Sequence, residues 1–376
     1  MSHHDAIVIG AGLVGAAVGY GLASRGLRVA MLDEDDATHR ASRGNFGLVW
    51  VQGKGRGRPE YSLWSRESSR RWPEFAARLA EASGLDVCYQ RPGGALVALS
   101  EEELASFAAV LAQIREEAGN NGYDYEVLDR DGLRRLMPEI GDAVVGGTYC
   151  PYDGHVNSLR LFRALHEAFV AVGGDYRCEH RVSAIEPAAG GGFTVRTAAG
   201  TLGADRVVIA AGHGCASLGP MVGLDVPVYP VHGQVIVTER WAGRLALPTN
   251  IVRQTDEGTC LMGFSEDDLG FETLTRTRTL RDIAWRTSRA FPFLAGLRAM
   301  RAWGALRVMT PDGFPVYAQS QAHPGAFAVT CHSGVTLAAN HAEIVAGWIE
   351  SGAISPDQAC FGTERFHTEQ RDVPAA

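Results

Sequence analysis

The stretch Gly10-Ala11-Gly12-Leu13-Val14-Gly15 constrains this chain more than any other feature. It follows an apolar run, Ala6 to Ile9, that reads as a buried strand, and it opens a run of small residues, Leu13 to Ser24, that reads as a helix. A second strand is expected at Val29 to Leu32. Glycines at this spacing between a strand and a helix make a dinucleotide-binding turn. Gly10 turns tightly, Gly12 admits a pyrophosphate to the backbone, and Gly15 lets the helix pack on the strand. At Leu13 and Val14 the helix N-terminus offers free amides and the positive end of its dipole to phosphates. Asp33, with Glu34 beside it, ends the second strand about twenty residues on, where a carboxylate takes ribose hydroxyls. These residues do not choose between FAD and NAD, because both use such a turn.

The same parallel-sheet pattern recurs far along the chain. Asp205 to Ala210 is a continuous apolar strand ending in Ala211-Gly212, and Ala326 to Thr330 is another, followed by a loop to Gly334 and a closing helix from Val335 to Trp348. Between them the sequence predicts a helix starting at Pro59 and kinked or restarted at Pro73, a strand at 94–99 and a helix at 101–118. Asn157 is placed to cap a helix over Leu159 to Val170. Strands at Val226 to Thr238 and Cys260 to Phe264, and a helix from Leu274 to Ala290, complete the reading. The fold class expected is α/β: a Rossmann-like dinucleotide domain from residues 1–85, 150–225 and 300–370. A mixed or antiparallel sheet domain for the substrate is inserted from residues 86–149 and 226–299. With 376 residues, 46% of them hydrophobic, the chain has the material for two such cores.

A net charge of −8 gives no basic surface for phosphate backbones, so small molecules are expected as partners and nucleic acid is not. No run is long and apolar enough to span a membrane, and no signal-peptide pattern precedes the first strand, so a cytoplasmic location is expected. The seven cysteines form no CxxC pair and suggest no metal or iron-sulfur site. Among 35 basic residues only Lys54 is a lysine.

Beyond the glycine turn, the loop Ala41-Ser42-Arg43-Gly44-Asn45-Phe46-Gly47, the Arg181-Val182 strand start, Ala210-Ala211-Gly212, Gly233-Gln234 and Trp303-Gly304-Ala305-Leu306-Arg307 resemble the D-amino-acid-oxidase-like flavoproteins, of the glycine oxidase and sarcosine oxidase type. The resemblance runs over nearly the whole length. Within it, Ala41 to Gly55 and His332 to Ala338 are most similar to the flavin subunits of opine oxidases and hydrogen cyanide synthase. It implies a glutathione-reductase-like FAD fold, FAD as cofactor and oxidation of the C–N bond of an amino-acid-like substrate. It also implies a partner electron-transfer subunit or a homo-oligomer. Ala305 stands where sarcosine oxidases carry a flavin-linking cysteine, which implies non-covalent FAD.

Carried onto this chain, the resemblance puts Ser42 and Arg43 beside the pyrophosphate, and Asn45, Phe46 and Gly47 against the isoalloxazine. Val182 goes to the adenine, and Ala211 and Gly212 to the ribityl chain. The turn His332, Ser333, Gly334, Val335, Thr336 would open the last helix and stabilise negative charge on the reduced flavin. Arg307 matches the carboxylate-binding arginine, with Arg301 and Arg253 in reserve, because a guanidinium is a planar two-pronged donor that keeps its charge. His332 is either a hydrogen-bonding group at the flavin or a packed core histidine. Lys54 either serves the flavin or its access channel, or is a lysine left on a solvent loop. His232 stands where an arginine is common, and His155 is read as structural.

Overall fold

The structure is a computed structural model that describes residues 2–36, 40–119 and 122–368. The strand His3–Ile9 pairs in parallel with Val29–Leu32 on one side and Gly200–Ile209 on the other. Ala326–Thr330 extends the sheet beyond Gly200–Ile209, and Asp175–Arg177 extends it beyond Val29–Leu32, also in parallel. With three antiparallel additions the sheet has eight strands. Its central strands are apolar on both faces because helices cover one side and a second apolar cluster the other. All these parallel strands point their C-terminal ends the same way, which opens a crevice for a ligand at that edge.

The glycine turn sits at that edge. Gly10 adopts φ +99°, and a Cβ on it would lie 2.5 Å from the Ala210 carbonyl oxygen. Gly15 is tighter: its Cβ would lie 1.8 Å from the Gly10 carbonyl oxygen. Helix Leu13–Ala23, almost wholly buried, can therefore lie directly on the sheet.

A second sheet of four antiparallel strands places Tyr229–Arg240 between Thr259–Met262 and Ala299–Met309, with Val252–Gln254 outermost. Residues paired across antiparallel strands share a face. One face, carrying Ile236, Met262 and Val252, packs under helix Thr277–Ala290, whose Thr287 hydroxyl meets the Met262 sulfur at 3.1 Å. The opposite face carries Trp303, Ala305 and Arg307 and closes on the Gly44–Gly47 loop: Trp303 Nε1 donates to the Gly44 carbonyl at 3.2 Å. A three-stranded sheet, Gly94–Ala98, Gly146–Cys150 and Glu126–Asp129, and a short pair, Leu48–Val49 with Gly154–His155, complete the described sheets. Among the described residues no helix is long and apolar enough to cross a membrane.

Several expectations need correcting. Pro73 does not restart its helix, which runs continuously over Pro59–Ser83. The carbonyl of Ser69, deprived of the proline N–H, is reached by Arg91 Nη1 at 3.4 Å, and Trp72, Phe75 and Leu79 anchor the far half in the core. The helix expected from Leu274 starts at Thr277, and the strand expected to reach Phe264 stops at Met262, where Phe264 turns to φ +81°. The closing helix starts at Ala338, not Val335, and widens to a π turn over His341–Val345. Residues 334–337 form a turn tied by the Leu337 amide to the Ser333 carbonyl at 3.0 Å.

Gly15→Ala is expected to force the Gly10 carbonyl out of place, costing about 1–3 kcal/mol and emptying the dinucleotide site. Chemical denaturation and the cofactor-to-protein absorbance ratio read both effects, and a fully loaded, equally stable variant contradicts the packing argument.

Candidate active site

A cavity of about 980 Å³ opens at the C-terminal edge of the large sheet. This is at the upper end of the roughly 300–1,000 Å³ seen for ligand sites. Asp33, Glu34 and Val182 line one part, Gly10, Gly12, Ser42 and Arg43 the next, and Ala211 with Gly212 a third. Cys331, His332 and Gly334 line the remainder. The cradle of glycines where a Cβ has no room fits a dinucleotide.

Some of the expected contacts are made by the chain itself. Asp33 accepts from the Ala11 amide at 2.7 Å through one oxygen, and from the Glu34 amide and Arg40 Nη1 through the other, at 2.7 and 2.6 Å. It fastens the glycine turn to the second strand, which leaves Glu34 the more open carboxylate on the wall. Ser42 Oγ accepts from the Leu13 amide at 2.9 Å, so that amide is not free for a phosphate. Val14 lines the cavity, whereas Gly15 acts only in packing.

The loop expected at the isoalloxazine is fixed from both ends. Asn45 Oδ1 accepts from the Gly47 amide at 2.6 Å, and Ser158 Oγ donates to the Asn45 carbonyl at 3.1 Å. Buried Arg253 donates Nε to the Phe46 carbonyl and lies against Gly47, with Nη1 3.4 Å from His155 Nδ1. Arg253 therefore serves as the loop's tie. Arg301 is exposed. Of the three arginines considered for a carboxylate, only Arg307 is partly buried with chain neighbours, Leu306 and Val308, that line the cavity.

Arg307 comes from the edge strand Ala299–Met309. Leu306 and Val308 line the cavity while the Arg307 side chain turns to the other face, over Gly233, where Nη1 donates to the Ser265 carbonyl at 2.8 Å. Burial pulls its pKa down, opposed by the charges of Glu266 and Asp267. Lys54 reaches in from the loop before helix Pro59–Ser83. Its ammonium donates to Ser333 Oγ and to Thr336 Oγ1, the latter at 3.3 Å, and lies 5.9 Å from the Tyr61 ring centroid. Burial pushes the Lys54 pKa down to about 8, opposed by Cys331 and Asp153. Lys54 is thus not a lysine on a solvent loop. Tyr61 donates to the same Ser333 oxygen at 2.9 Å.

His332 lies between these cations electrostatically. By area it is exposed, but it faces the cavity and protein encloses it; burial first, then the Lys54 and Arg307 charges, push its pKa down to about 3. It is neutral at physiological pH. The turn behind it is laced to its surroundings: the Trp50 amide donates to Thr336 Oγ1 at 3.0 Å, and Ser68 Oγ and Trp72 Nε1 donate to the Thr336 carbonyl at 2.7 and 3.0 Å. Val335 is buried in the core beneath. Because the regular helix begins only at Ala338, stabilisation of an anion here rests on the turn's own amides more than on a helix dipole.

His232 is buried on the opposite face of the four-stranded sheet from Arg307, with neither ring nitrogen hydrogen-bonded and the Asp267 carboxylate 3.9 Å away. Sequence reasoning missed two features. His213, on the cavity wall, lies 3.2 Å from the Arg307 carbonyl through Nε2, and its place just after Ala211-Gly212 is a usable signal. Buried Asp153 accepts from the Val51 amide at 2.5 Å and from Gln52 Nε2 at 2.6 Å, while Gln52 Oε1 accepts from Thr148 at 2.6 Å. Nothing in its local sequence marks it. Among the described residues no cluster of His, Cys, Asp and Glu is suited to a metal.

Residues 5–348 match a family described as FAD dependent oxidoreductase (DAO). The chain is 44% identical to an opine oxidase subunit of Agrobacterium tumefaciens strain Ach5, with 97% of this chain and 98% of that protein covered. It is 42% identical to the corresponding opine oxidase subunit of Rhizobium meliloti, with 98% and 99% covered. A crystal structure of glycine oxidase from Geobacillus kaustophilus superposes with a TM-score of 0.86 at 25% identity, covering 96% of this chain and 98% of that one.

His155, His332 and His341 are each pushed down to about 3 by burial. In the unfolded chain they protonate near 6.5, so between those values the unfolded state binds more protons and stability falls as pH falls. The melting temperature should therefore drop between pH 7 and pH 5, where most carboxylates are still ionised; a flat profile contradicts buried neutral imidazoles.

Proposed function

This chain belongs to the DAO family of FAD-dependent oxidoreductases, and on that premise we propose that it oxidises the C–N bond of an amino acid or an N-substituted, opine-like amino acid. The product is an imine, which water hydrolyses to a keto acid and an amine or ammonia. The observation that carries this reading is the half-buried Arg307 guanidinium, set on the strand whose Leu306 and Val308 line the dinucleotide cavity and held only by the Ser265 carbonyl, a receptor for an α-carboxylate. The 44% identity to an opine oxidase subunit supports the substrate class.

FAD, when bound, supplies the two-electron acceptor for a hydride leaving the α-carbon. The chain's residues supply position and field. Arg307 fixes the carboxylate and thereby the direction of the α C–H bond. The positive field of Arg307 and Lys54, which helps keep His332 neutral, also disfavours a substrate ammonium and so favours the neutral amine that hydride loss requires. The amide groups of the Ser333–Thr336 turn would stabilise negative charge on the bound acceptor. Ala305 packs against Gly44 with no thiol at that position, in keeping with FAD held non-covalently. Because both opine oxidase relatives are themselves subunits, we further propose a partner subunit as the route for electrons out of the flavin.

Anaerobic bleaching of the flavin against glycine, sarcosine, D-amino acids, proline derivatives and opines tests the reading, with reduction by at least one secondary or primary α-amino acid expected. Arg307→Ala should lower kcat/KM on the best substrate by roughly thirty-fold to several thousand-fold, the equivalent of losing about 2–5 kcal/mol from a buried charge pair. FAD content should stay normal. No bleaching by any amine, or a variant with near wild-type kcat/KM, sinks the corresponding part of the proposal.

A further inference from the structure

We infer that His213 is a positioning residue for Arg307: it joins the turn that lines the cofactor cavity to the strand and the loop that hold the guanidinium. The inference rests on the reading of Arg307 as the carboxylate receptor and adds what sets its place relative to the cofactor.

The need for such a joint follows from the fold. Arg307 belongs to the four-stranded sheet, whereas Ala211-Gly212 follows Gly200–Ile209 of the eight-stranded one. The two sheets share no strand, so their relative placement rests on contacts made by loops and side chains. His213 lies in the tight turn Gly212–Gly214 and lines the same cavity as Ala211 and Gly212. At Gly212, φ is +56°, and a Cβ there would lie 3.4 Å from the Val308 side chain, so the turn runs directly against the strand that carries Arg307.

The half-buried ring holds this region in three ways. Its Nε2 lies 3.2 Å from the Arg307 carbonyl. Burial pulls its pKa down, and the carbonyls of Arg307 and Tyr229 oppose that pull. Tyr229 pairs with Met309, and Val231 with Arg307, so the imidazole spans the seam between the two strands. The Phe271 ring meets it edge-on, with centroids 5.4 Å apart, although Phe271 is 68% exposed. Phe271 sits between strand Thr259–Met262 and helix Thr277–Ala290, in the segment whose Ser265 carbonyl takes Arg307 Nη1. Main chain and side chain of Arg307 are thus both tied back to one imidazole, and the guanidinium emerges over Gly233. A group misplaced by about 1 Å can lose about a hundred-fold in rate. A neutral hydrogen bond adds only modestly to folding, so the joint matters more to the site than to stability.

The test uses the FAD-loaded enzyme and thiodiacetate, an acid without an oxidisable amine, whose binding is read from the perturbation of the flavin absorbance. His213→Ala should weaken thiodiacetate by about three-fold to ten-fold, the usual consequence of losing one hydrogen bond. On the best substrate it should lower kcat by about ten-fold to a hundred-fold, with FAD content and melting temperature close to wild type. His213→Gln, which still offers an N–H to a carbonyl, should recover most of both losses. In an Arg307→Ala background His213→Ala should change thiodiacetate binding no further, because residues that act through one another are not additive. The inference is overturned if His213→Ala behaves as wild type, if it costs as much affinity without Arg307 as with it, or if His213→Gln falls as far as His213→Ala. Loss of FAD with unchanged thiodiacetate affinity in the loaded fraction also overturns it, and makes His213 a cofactor contact. If Arg307→Ala itself leaves thiodiacetate binding unchanged, the preceding reading of Arg307 falls, and this inference with it.

Discussion

The contact on which the site depends is the one between Gly15 and the carbonyl of Gly10, with Gly10 in turn pressed against Ala210. No Cβ fits at either glycine. The close approach seats helix Leu13–Ala23 on the edge of the sheet where strands from three distant parts of the chain end together. From that one approach follow the trench that the cavity occupies, the reach of Asp33 back to the Ala11 amide, and the reach of Ser42 to the Leu13 amide. The cofactor end of the site is thus built from backbone, which cannot drift by rotamer changes.

The end proposed for the substrate differs, because its charges are held largely out of water. Arg307 and Lys54 are both pulled toward deprotonation by burial, and neither is given a well-matched carboxylate by the fold. Structural arginines in the same molecule behave otherwise: Arg365 takes both oxygens of Asp312, and Arg286 both of Glu103. Burial, helped by the charges of Lys54 and Arg307, keeps His332 neutral, so it adds no further positive charge there.

Much of this is legible in the amino-acid sequence. The glycine spacing, the flanking apolar strand and the acid at its end specify the first β-α-β unit because they depend on local sterics. The solitary lysine is a signal because composition makes it conspicuous. The features that sequence reading misses are set by contacts distant along the chain. Arg91 supplies the hydrogen bond that lets a helix pass through Pro73. The amide of Leu13 is claimed by Ser42, and Arg253, a reserve for substrate by residue type, is committed to the Phe46 carbonyl. The closing helix begins late because the Ser333–Leu337 turn spends the first hydrogen bonds that a helix from Val335 needs. Local periodicity has no access to any of these competitors.

The central claim is that the guanidinium of Arg307 is a carboxylate receptor at the flavin. A crystal structure of the FAD-loaded protein with thiodiacetate bound tests it most directly. The account predicts one carboxylate in two-pronged contact with Arg307, with that side chain drawn toward the ligand from the Ser265 carbonyl. A ligand carboxylate seated on Arg253, or in solvent with Arg307 still holding only Ser265, contradicts it.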